Sequence, residues 1–187
     1  MLFRSISESN LVTGTKAFAN TLVQSSTSLT MAFDIGATGT VSIQFLANID
    51  VQADVNGGDA GLAQANSSVT VELRDANNNV VARWTPDGNG GALNPSNCGA
   101  GLTCTSTETG PDLNNSISSG GGLASNTGSG FFKLDVTGLA SGGYTLALAS
   151  NTSTQLIRSP TQVPVPGTLL LLGSGLLLGA RATRRKA

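Results

Sequence analysis

From Val41 to Gln52 apolar and polar residues alternate with a period of two. Val41, Ile43, Phe45, Ala47, Ile49 and Val51 fall on one face, and Ser42, Gln44, Asn48, Asp50 and Gln52 on the other, with Leu46 alone breaking the polar row. A helix, repeating every 3.6 residues, cannot hold that pattern, so the stretch predicts a strand with one buried face. The same period appears in Leu29, Met31, Phe33 and Ile35, in Phe132, Leu134 and Val136, and in Tyr144, Leu146 and Leu148. Val69 to Asp75 and Val80 to Trp84 flank Ala76-Asn-Asn-Asn79 and predict a hairpin, with Val69, Val71 and Leu73 facing Val80, Ala82 and Trp84. Pro86-Asp-Gly88 marks a turn, and Thr154 to Arg158 a last strand. Between Asn89 and Thr127 the period is lost for 39 residues, which read as one long loop with Ser116-Ile-Ser118 as its only strand fragment. Seven or eight short strands with generous turns predict an all-β fold, an antiparallel β-sandwich of jelly-roll or immunoglobulin-like kind. The sandwich is expected over 23–158, after an irregular segment 1–22 and before a proline-rich spacer 159–166 and a C-terminal hydrophobic helix with basic tail, 167–187.

Charge and composition remove several function classes. The net charge of −1 conceals an asymmetry: all eleven acids precede residue 163, whereas four of the ten cations follow it, leaving a body of net −5. Nucleic-acid binding needs a basic face, so that class is excluded. The chain has no histidine, which takes away the usual general base, the commonest metal ligand and every Ser-His or Cys-His pair. No cofactor is expected. Cys98 and Cys104 lack the further ligands zinc requires and read as a small disulfide loop of an oxidising compartment. Glu72, Glu108 and Asp112 are available carboxylates, but their spacing gives no hydrolytic pair. Asp54, Asn56 and Asp59 are weak calcium candidates, for which ordinary turn chemistry is the preferred reading. Trp84 and Tyr144 sit at inward strand positions and read as core rather than as a sugar platform. Sequons occur at Asn66, Asn114 and Asn151.

The last 25 residues carry the clearest message. Gly167 to Ala180 are fourteen uncharged, mostly apolar residues, eighteen when counted back to Val163, and Arg181, Arg184, Arg185 and Lys186 follow without an acid. Leu169 to Leu172 and Leu176 to Leu178 leave no polar face, as a lipid-exposed helix requires, and the cations place residues 1–162 outside the cell if the segment inserts. Val163-Pro-Val-Pro166, then Gly167-Thr168-Leu169, then the basic cluster resemble the tripartite PEP-CTERM signal of Gram-negative surface proteins, with Val165 standing where the family has an acidic residue. The resemblance implies handling by a membrane enzyme, exosortase, attachment to the inner membrane through the C-terminal helix before processing, and a destination in the envelope, at the surface or outside the cell. It further implies a non-enzymatic matrix or biofilm protein, with exopolysaccharide as a partner; the alternative is a carbohydrate- or calcium-dependent binding module. Gly138 to Leu146 also resembles the turn and strand that position a tyrosine in bacterial extracellular sandwiches. Met1 to Asn10 has no apolar run suited to a signal peptide, so export is expected to depend on residues upstream of Met1.

Overall fold

The computed structural model describes residues 19–55, 61–94 and 96–158. They form nine strands: β1 (Ala19–Ile35), β2 (Gly39–Val55), β3 (Gly61–Asp75), β4 (Val80–Trp84), β5 (Gly91–Ala92), β6 (Thr103–Thr109), β7 (Ser116–Ser119), β8 (Gly122–Leu139) and β9 (Gly142–Arg158). The larger sheet has the order β1-β9-β3-β4, with β7 also on β3; the smaller has the order β2-β8-β6-β5. Every pairing between strands is antiparallel.

The inward rows of the two sheets make one core. Ile43, Ile49, Val51, Phe132, Leu134 and Val136 from the smaller sheet meet Ala63, Ala65, Val71, Leu73, Ala82, Trp84 and Tyr144 from the larger. Phe45, half-buried, packs against this core, its ring centroid 5.7 Å from that of Trp84 and 5.6 Å from that of Phe132. Aromatic rings at such separations add to the stabilisation that burial alone provides. Tyr144 stacks on Phe33 at 6.1 Å and donates its hydroxyl to the carbonyl of Ala140, so the turn before β9 is tied to the strand it introduces.

Several expectations change. The loop expected over 89–127 is mostly sheet: it holds β5, β6, β7 and the start of β8. The inward residues of β6 are Cys104, Ser106 and Glu108, opposite Val136, Leu134 and Phe132, and two of the three are polar, so no hydrophobic period marks the strand. β1 starts at Ala19 rather than near Leu29, inside the segment expected to be irregular, and Tyr144 to Arg158 is one strand rather than two. In both cases the strand runs through residues that are polar on both faces, Gln24 to Thr27 and Ser150 to Ser153, which pair with one another across the sheet. Val80 does not face the core: a register shift after Leu73 sets it opposite Arg74, 40% exposed. Among the described residues there is no helix; the expected C-terminal helix lies outside them.

Two glycines are required by their surroundings. A Cβ on Gly130 would lie 2.1 Å from the Thr109 carbonyl oxygen, so β6 and β8 can meet there only over a bare backbone. Gly88, at φ 83°, completes the turn after β4 in a left-handed conformation.

Candidate functional site

The structure distributes the candidate residues unequally. The sorting residues Val163, Pro164, Pro166, Gly167, Thr168 and Leu169 and the basic residues Arg181, Arg184, Arg185 and Lys186 lie outside the described residues, as do Asn56 and Asp59. Asp54 is exposed near the end of β2. What the structure does place is the root of the tail. Arg158 ends β9 opposite Ala19 on one side and Gly61 on the other, at the end of the sandwich that also holds the Gly120-Gly121 turn between β7 and β8. β9 is paired along its whole length with β1 and over 15 residues with β3.

The carboxylates considered for catalysis are held apart by structural bonds. Glu72 projects from β3 and accepts from Arg74 and Arg83, each at 2.5 Å. Burial raises its carboxyl, but the hydrogen bonds and charges of the two guanidinium groups outweigh that and hold it below the usual carboxylate range. Glu108 points inward from β6 and accepts the indole N–H of Trp84 at 2.6 Å and the backbone N–H groups of Asp87 and Gly88 at 2.9 and 2.8 Å. Asp112 accepts the N–H of Asn114 in a local turn. None of the three is paired with another across a cleft.

Cys98 and Cys104 form a disulfide, with Cα atoms 5.9 Å apart. Its position matters more than its ring size. Asn97 and Gly99 run along the outer edge of β4, accepting from Arg83 N–H and donating to the Val81 carbonyl, while Cys104 belongs to β6. The bridge therefore joins the β4 edge of the larger sheet to the smaller sheet.

The sequons prove to be built into the sheet. Asn114 donates to the Pro86 carbonyl and accepts from Val69 N–H, filling the gap on β3 between β4 and β7. Asn66 donates to the Ser153 hydroxyl at 3.0 Å. Asn66 and Asn151 belong to a feature that sequence reasoning missed, a shallow groove of about 380 Å³ lined by three consecutive residues from each of β1, β9 and β3: Gln24 to Ser26, Asn151 to Ser153 and Asn66 to Ser68. All nine are uncharged and polar. Three separate low-complexity triplets carried the signal, but only the register brings them side by side, Gln24 with Ser153 and Asn66, Ser26 with Asn151 and Ser68.

Comparison with solved structures gives low scores. The chain is 12% identical to the Clostridium perfringens CspB protease over 69% of its own length and 30% of the protease, with a TM-score of 0.29. It is 14% identical to a mutant VP2 protein of infectious bursal disease virus, over 83% of this chain and 48% of that one, with a TM-score of 0.15. For the tailspike protein of Acinetobacter baumannii phage AM24 the figures are 9%, 76%, 27% and 0.17. The chain thus spans half or less of each, and likenesses of this size carry no argument about it. No curated protein matches the chain. Residues 162–186 match the model of the PEP-CTERM protein-sorting motif, so this chain carries a C-terminal PEP-CTERM signal, which implies an exported surface protein processed by exosortase.

Proposed function

We propose that the protein is a non-enzymatic component of the cell surface or extracellular matrix, in biofilm or exopolysaccharide, delivered by its PEP-CTERM signal. The observation that carries this reading is the PEP-CTERM signal over residues 162–186, which follows in the sequence soon after Arg158, the last residue of β9. A strand paired on both sides transmits a pull on the tail into many hydrogen bonds loaded together, which suits a displayed or tethered body. The carboxylates Glu72, Glu108 and Asp112, each engaged in structural bonds, agree with a non-enzymatic role. We also infer a jelly-roll rather than an immunoglobulin-like arrangement, because the first and last strands lie side by side in the order β1-β9-β3-β7 over β2-β8-β6. Fractionation of the native host with intact-mass measurement tests the function. A species outside the inner membrane that lacks the residues after about Pro166 supports it; full-length protein confined to the cytoplasm overturns it.

The polar groove favours carbohydrate binding as a second reading, since amides and hydroxyls without net charge suit a neutral glycan. A glycan array supports that reading if binding falls on substitution of Asn151 and Gln24 by alanine.

A further inference from the structure

The two sides of the sandwich are finished differently. On the β4 side, the Asn97 to Gly99 segment covers the edge, the disulfide crosses to β6, and β5 is only two residues long. On the other side, β1 and β2 are edge strands of 17 residues each. Natural edges are usually blunted by lysine, proline, bulges or inward charge, because an open edge is a template for another strand. β2 has some of these devices: Asp50 and Asp54 on its exposed row and a register shift after Gly39. β1 has no lysine, arginine or proline, carries a single acid, Asp34, near its end, and runs in unbroken register with β9. No described strand pairs with its outer edge. It also exposes Leu22 at 58% and Met31 at 53%.

We propose that β1 is a self-association edge, pairing antiparallel with β1 of a second copy of this chain about a two-fold axis through the strand's centre. With Ala19 opposite Ile35 of the second copy, the strands overlap fully, Met31 meets Val23, Leu22 meets Ala32, and Ser26 meets Ser28. Both exposed apolar side chains then gain apolar partners. No charge opposes a like charge, since Asp34 falls opposite Asn20. At about 3.4 Å per residue the strand is about 58 Å long, and a strip about 10 Å wide on each copy amounts to about 1,200 Å² in total, within the range of specific interfaces. The pairing is isologous and closed, so it yields a dimer with one continuous sheet rather than a fibre. The polar rows on the outer face of the larger sheet then run across the axis from one copy into the other.

Sedimentation of the full-length chain in mild detergent, with a paired charge design, tests this. The wild type is expected to be dimeric at micromolar concentration. Ser26→Lys with Ser28→Lys puts like charges opposite each other twice and weakens the dimer by about tenfold, whereas Ser26→Lys with Ser28→Glu puts opposite charges there and restores it. A monomeric wild type, a dimer indifferent to both designs, or equal loss in both overturns the proposal; indifference means that the tail or another surface holds the copies together, and equal loss means that positions 26 and 28 do not face each other across the axis. Where a design fails to fold, hydrogen exchange of the wild type decides. Protection of β1 amides that rises with protein concentration supports the pairing, and unchanged protection overturns it.

Discussion

Trp84 on β4 and Glu108 on β6 join the two sheets through a hydrogen bond of 2.6 Å from indole Nε1 to carboxylate Oε1. The second oxygen of Glu108 holds the N–H groups of Asp87 and Gly88, so one carboxylate fixes both the buried ring and the turn that follows its strand. Replacing Glu108 by alanine leaves three donors without this acceptor and should cost about 3 kcal/mol; glutamine, which keeps one acceptor, should cost about 1 kcal/mol. The midpoint of urea unfolding, followed through the fluorescence of the chain's one tryptophan, measures both. An alanine variant as stable as the wild type would refute the assignment.

Gly130 is where β6 and β8 approach without room for a side chain. Gly130→Ala would drive its Cβ against the Thr109 carbonyl at 2.1 Å, backbone against backbone, where no rotamer can yield. A loss of at least about 3 kcal/mol is expected, enough to unfold a domain of ordinary stability. Gly36→Ala, in a turn with nothing within 4 Å of the added methyl, is the control and should change stability by less than about 0.5 kcal/mol. Thermal melts of the two variants give the comparison.

Much of the fold was legible because one face of each of several strands is apolar. Ile43, Ile49 and Val51, then Phe132, Leu134 and Val136, stand where alternation places them, and the exposed Leu46 is the residue that broke the polar row. The extension of β1 and β9 was not legible, because Ser25 and Thr152 are as polar as their outward neighbours and the period of two vanishes when both faces match. β6 was hidden for a related reason: its inward positions include Ser106 and Glu108, whose partners come from distant strands. The disulfide was legible from two cysteines in an otherwise unfit metal set, but its role as a tie between sheets depends on where Asn97 and Gly99 run. The groove needed the register of three strands, which no local pattern encodes. The sorting signal, being a contiguous run, was legible without any fold.

The disulfide closes a short ring, so its effect on the unfolded chain is limited to about 2 kcal/mol. Its position predicts where the loss appears. Replacing Cys98 and Cys104 by serine should speed hydrogen exchange in β4 and β6 while leaving the β1 and β9 amides unaffected. A uniform change across both sheets would mean that the bridge acts only through overall stability. Reduction of the wild type should reproduce the pattern.

Acid should weaken the protein, while the neutral range should not. Asp75 is held below the usual carboxylate range by Asn79, through its side chain and then its backbone N–H, with Asn77 adding to the effect. Asp135 is held low by Lys133 and Ser42, and Glu72 by Arg74 and Arg83 against the effect of its burial. Such groups bind protons less readily in the folded chain than in the unfolded one. Their stabilisation is therefore present above the ordinary carboxylate pKa of about 4 and is lost as pH falls through the lowered folded values. With no histidine in the chain, no side chain of ordinary pKa titrates between about pH 5.5 and 8. Melting temperature should be flat across that window and fall steeply below about pH 4. Glu72→Gln should lower the plateau and reduce the acid drop together, since the variant has lost the group whose protonation differs between the two states. A drop of unchanged size in that variant would place the acid sensitivity elsewhere.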